Sequence, residues 1–67
     1  MTLSARNRLE GTVKSVTLGS VMAEVVVEVA GGEIVSAITR ASAEGLDLAA
    51  GDKVTVVVKA TEVMLDK

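Results

Sequence analysis

Apolar and polar side chains alternate with a period of two along most of the chain, which is the signature of strands with one covered face. From Arg8 to Leu18 the apolar positions are Leu9 and Val13, then Val16 and Leu18. Their phase changes near Lys14 and Ser15, so the pattern predicts one long strand bent at a bulge. Val21, Ala23, Val25, Val27 and Val29 then alternate with Met22, Glu24, Val26 and Glu28, a second strand with its odd-numbered face buried. Ala30-Gly31-Gly32-Glu33 carries two adjacent glycines that tolerate positive φ, and it predicts a tight reversal into a third strand from Ile34 to Thr39.

The two-residue period is lost from Ser42 to Leu48. Ser42 followed by Ala43 and Glu44 has the form of an N-cap with an acid in the first turn, and Gly45 limits the helix to about one turn. Ala50-Gly51-Asp52 turns the chain into a fourth strand, Lys53 to Lys59, with Val54, Val56 and Val58 on one face. Thr61 to Leu65 predicts a short closing strand. Five strands and one helical turn describe an all-β domain over residues 1–67, closing as a small barrel of the oligonucleotide/oligosaccharide-binding (OB) kind.

Composition sharpens this picture. A chain of 67 residues buries only about 60% of the surface its unfolded form exposes. With no Cys and no His it lacks disulfides and the usual zinc ligands, which leaves self-association as the expected source of added stability. Thirteen Val and nine Ala without one aromatic residue favour strands over a helical bundle. Met22, Val26, Val35 and Val57 fall opposite the main apolar rows and are expected to be covered by identical subunits.

The same counts narrow the function. Without His or Cys there is no imidazole acid-base catalysis, thiol nucleophile or Ser-His-Asp triad, so the chain is not expected to be an enzyme. A net charge of -2, no basic tract and no aromatic stacking platform argue against nucleic acid. There is no leader-like opening and no apolar run near the roughly 20 residues that span a bilayer, so the expected setting is the cytoplasm, away from membranes.

Three clusters of hydrogen-bond donors remain. Ser4-Ala5-Arg6-Asn7 gathers a hydroxyl, a guanidinium and an amide ahead of the first strand, where a frayed polar terminus would look the same. Thr39-Arg40-Ala41-Ser42 places hydroxyls where a helical turn begins, although a Ser there can serve only as a cap. Lys59-Ala60-Thr61 lies between the fourth strand and the closing segment, where a lysine is also an ordinary edge charge.

In their order and spacing these clusters resemble the molbindins, stand-alone members of the Mop family of molybdate-binding TOBE-type domains. The likeness rests on Ser4-Ala5-Arg6-Asn7, Gly11, Ala23-Glu24-Val25, Gly31-Gly32, Ile38-Thr39 with Ser42, Gly51, and Lys59 closing on Val63. It implies a homohexamer, a trimer of dimers, that binds molybdate or tungstate between subunits. One subunit would supply Ser4, the Ala5 amide, Arg6, Lys59 and the Ala60 amide, and its neighbour Thr39 and Ser42. Some relatives carry Ser where this chain has Ala60, which leaves only a backbone donor there. The family's second type of site, near the three-fold axis, has Ser20 as its one candidate here. No cofactor and no directly ligated metal are implied, since molybdenum enters only as its oxyanion.

The chemistry of the clusters suits that ligand. Molybdate is a tetrahedral dianion that accepts hydrogen bonds and donates none, and every residue of the implied set can donate. Arg6 and Lys59 match its two charges. The implied function is an intracellular store and buffer of molybdate or tungstate. A small OB-like nucleic-acid-binding module and a molybdate-sensing regulator are the alternatives.

Overall fold

The computed structural model describes residues 6–67. Its elements are β1 (Asn7–Leu18), β2 (Met22–Val29), β3 (Gly32–Thr39), a short helix α1 (Arg40–Gly45), β4 (Lys53–Val58) and a single 3-10 turn (Ala60–Glu62). The strands form one antiparallel sheet in the order β3-β2-β1-β4. β1 is the organising strand, pairing with β4 through its first half and with β2 from Gly11 onward.

The bulge lies where the apolar phase changes. Val13 pairs with Val27, but the next partners are Ser15 with Val26 and Val16 with Val25, so Lys14 is the extra residue. Without it Val13 and Val16 would face opposite sides, because strand side chains alternate. With it both reach the core, a cluster of buried Val13, Val25 and Val27 flanked by half-buried Val16, Val29, Ile38, Leu48, Val54 and Val56. The bulge also turns the Val13 backbone toward the approach to β4. Its N–H donates to the Asp52 carbonyl and its C=O accepts from the Gly51 N–H, both at 2.8 Å.

β2 and β3 form the expected hairpin, closed by the Val29–Gly32 pair. Of the two glycines only Gly31 needs its freedom, at φ 89°, while Gly32 is already the first residue of β3. Gly11 serves a different purpose. A Cβ there would stand 2.5 Å from Val27 Cγ1 and 2.8 Å from the Glu28 carbonyl oxygen, so β1 and β2 can meet only across a bare Cα.

Two expectations are corrected. The helix starts two residues before Ser42 and its cap is Thr39, whose hydroxyl accepts the Ser42 N–H at 3.1 Å. Gly45 ends α1, yet the left-handed residue that reverses the chain is Asp47, at φ 52°. The Leu48 N–H then returns to the Ala43 carbonyl, a Schellman-like ending that drives Leu48 into the core. The closing strand expected at Thr61–Leu65 is instead the 3-10 turn followed by an extended tail, because no strand of the described chain lies beside it. Among the described residues the sheet has four strands, with no ladder joining β3 to β4.

Met22, Val35 and Val57 are exposed, and Val26 is half-buried beside Val35, its β3 partner. These outward apolar positions therefore lie open in the single chain.

Candidate functional site

The first donor cluster is described from Arg6 onward, and Ser4 and Ala5 lie outside the described residues. Arg6 leads into β1, and Asn7 pairs with Val58, the last residue of β4. This register brings Arg6 beside Ala60 in an open groove of ≈ 840 Å³, lined also by Asn7, Arg8, Leu9, Val58, Val63 and Leu65. The chain therefore unites two of the three clusters, with Lys59 next to Ala60 as the residue that leads into the 3-10 turn.

Arg8 was not singled out by sequence, although it is two residues from Arg6 and strand alternation brings such residues to one side. Its guanidinium is a second fixed positive charge on this groove. Among the described residues neither Arg6, Arg8 nor Lys59 forms an ion pair. The two ion pairs found are Lys14 with Glu33 at 2.6 Å and Arg40 with Glu44 at 3.2 Å. Glu10, the next residue of that strand row, accepts a hydrogen bond from the Thr55 hydroxyl at 3.3 Å.

The third cluster is a separate structure at the other end of the sheet. Thr39 ends β3 opposite Met22, and the Arg40 N–H donates to the Val21 carbonyl at 2.7 Å, seating α1 on the turn between β1 and β2. The Thr39 and Ser42 oxygens are 2.8 Å apart. One hydrogen lies between them, which leaves the other hydroxyl hydrogen for a ligand. Ser20 stands in the same turn, between Gly19, whose carbonyl accepts from Arg40 Nη1 at 3.3 Å, and Val21.

The two ends are a strand apart. The twelve residues of β1, eleven steps of about 3.3 Å, would span roughly 36 Å if the strand were straight, and the longest dimension of the fold is 34 Å. Within one chain Arg6 and Ala60 therefore stay far from Thr39 and Ser42. The Arg6 groove also has the volume of a site for a drug-sized molecule, about 300 to 1,000 Å³, and a five-atom anion leaves most of it empty. What the chain presents is two partial, donor-rich surfaces. Among the described residues no cluster of three or more His, Cys, Asp or Glu could grip a metal ion, and no helix is long and apolar enough to cross a membrane.

Known proteins share this fold. The TOBE domain profile matches residues 3–65. The chain is 48% identical over 66 residues to molybdenum-pterin-binding protein 2 of Clostridium pasteurianum, covering 97% of each. Among solved structures it is similar to a molybdate-binding protein from Sporomusa ovata, with a TM-score of 0.94, 52% identity and full coverage of both chains. It is also similar to the cytoplasmic molybdate-binding protein ModG with molybdate bound, with a TM-score of 0.83 and 46% identity, covering 90% of this chain and 43% of that one.

Proposed function

The chain belongs to the TOBE-domain family, among the small molybdenum-pterin-binding Mop proteins, and on that premise we propose that it binds molybdate or tungstate between subunits of a homohexamer and stores the anion in the cytoplasm without catalysis. The observation that carries this reading is the division of the donors. Arg6 and the Ala60 segment occupy one end of the sheet and the Thr39–Ser42 hydroxyl pair the other, so a complete donor shell needs two copies.

The proposed site takes Ser4, the Ala5 amide, Arg6, Lys59 and the Ala60 amide from one subunit and Thr39 and Ser42 from its neighbour. Arg6 and Lys59 balance the dianion's charge, while hydroxyls and backbone N–H groups direct donors at its oxygens. Sulfate has the same charge and shape, so selection against it comes from cavity size. A protonated phosphate would bring a hydrogen into a shell of donors and lose a contact. Ser20, in the turn held by Arg40, is the proposed contact of a second type of site.

Because the anion binds the assembled state, mass action stabilises that state as anion concentration rises. The experiment is a thermal melt with molybdate, tungstate or sulfate. A rise in Tm with the first two, larger than with sulfate, is expected; identical curves in all three anions would overturn the reading.

A further inference from the structure

The start of β1 stands outside the four-stranded part of the sheet. β2 joins β1 only from Gly11 onward, so Asn7 to Glu10 pair on one side alone, with Thr55 to Val58 of β4. Side chains alternate along this two-stranded ribbon, and Val56, the partner of Leu9, packs against the core. The opposite side therefore carries Arg8 beside Val57 and Glu10 beside Thr55. One step beyond the Asn7–Val58 pair, Arg6 and the extended Lys59 return to that same side. Three cations thus gather at one end of the ribbon, with Arg6 and Arg8 about 7 Å apart along the strand.

Among the described residues none of the three has a carboxylate partner. The acids nearest to them along the chain are Glu10 and Glu62. Glu10 accepts the Thr55 hydroxyl at 3.3 Å, and neither acid enters an ion pair. Three cations against these two carboxylates leave this end positive in a chain of net charge -2, and without Arg8 it would be neutral. Val57, the cross-strand partner of Arg8, offers it neither charge nor hydrogen bond.

We propose that Arg8 is a further binding residue of the oxyanion site and acts through its charge alone, drawing the dianion to Arg6 and Lys59 without supplying one of its hydrogen bonds. The proposal rests on the function argued above for that site. The donor shell described there already has more donors than the ion has oxygens, and Arg6 and Lys59 already match its charge, so Arg8 adds no missing contact. What it adds is a longer-range field. One positive charge about 8 Å from a dianion in water changes binding about fivefold, and salt removes the effect once the screening length falls well below that distance.

A charge series at position 8 tests this, with calorimetric titration of molybdate at low salt and again in 1 M sodium chloride, where the screening length is about 3 Å. At low salt Arg8→Lys should bind like the parent, Arg8→Gln about fivefold and Arg8→Glu about 25-fold more weakly, a constant factor for each unit of charge. In 1 M salt the four proteins should converge, whereas Arg6→Gln, which removes a contact, should stay weak in both buffers. Assembly mass and the anion-free Tm of Arg8→Gln should equal the parent's. Parent-like binding by Arg8→Gln at low salt, a loss shared by Arg8→Lys, a loss that persists in 1 M salt, or a changed assembly would each overturn the role of Arg8 and leave the oxyanion function standing. Failure of the parent itself to bind molybdate would overturn both.

Discussion

The Thr39 hydroxyl oxygen accepts the Ser42 N–H at 3.1 Å and lies 2.8 Å from the Ser42 hydroxyl, so one side chain both starts α1 and fixes the neighbouring donor. Thr39→Ala is expected to cost about 1 kcal/mol of stability through loss of the cap and to weaken anion binding as well, with Thr39→Ser restoring both. Ser42→Ala keeps the capped amide and should leave the anion-free Tm unchanged, while binding weakens by about 1.5 to 3 kcal/mol. Melting without anion and calorimetric titration with molybdate separate the two effects.

Arg6 sits at the rim of the groove with no carboxylate partner among the described residues. Arg6→Ala is expected to weaken molybdate binding by about 2 kcal/mol, roughly thirty-fold, with the anion-free melt unchanged. Val25→Asp should unfold the chain, because it buries an unpaired carboxylate in the valine core. Circular dichroism beside the titration checks both, and an equal loss of fold would make Arg6 a structural residue.

The close approach at Gly11 is also measurable. Gly11→Ala pushes a methyl group against Val27 and the Glu28 backbone, and it is expected to cost about 1 to 3 kcal/mol. Gly32→Ala meets no atom within 4 Å and has no positive φ to strain, so it should be nearly neutral. Urea midpoints of the two variants should differ accordingly.

Lys14, the bulge residue, reaches Glu33 on β3. The hydrogen bond to Glu33, then Coulomb attraction to the same carboxylate, with a smaller part from Glu28, raise its pKa above the ordinary lysine value. A raised folded value means that this stabilisation is complete below the unfolded pKa of about 10.4. It is lost as pH climbs through the higher folded value. The pair is exposed, so salt weakens it. Lys14→Met should therefore melt slightly below the parent at neutral pH and low salt. That difference should shrink in alkaline buffer and in high salt.

The sheet was legible because its determinants are local. The Val13-to-Val16 phase change marks a bulge, and Ala23, Val25 and Val27 mark a buried face, whatever lies around them. The helix cap was misplaced because Thr39 and Ser42 are equally good caps by residue type, and the choice depends on β3 pairing through Thr39 to Met22. The tail was misread because Val63 and Leu65 carry a strand's alternation but pairing needs an edge beside them, and no described strand lies next to the tail. Of the proposed site, sequence identified Arg6 and Ala60 but passed over Arg8, and only three-dimensional register shows that Thr39 and Ser42 stand at the far end of β1. Ser4 and Ala5 fall outside the described residues.

Native mass spectrometry of the purified chain, titrated with molybdate and in parallel with sulfate, tests the shared site most directly. Six-chain particles that take up molybdate, with no comparable uptake by single chains, are the predicted result. A monomer that binds molybdate as well as any assembly does, or a hexamer that takes up neither anion, would contradict it.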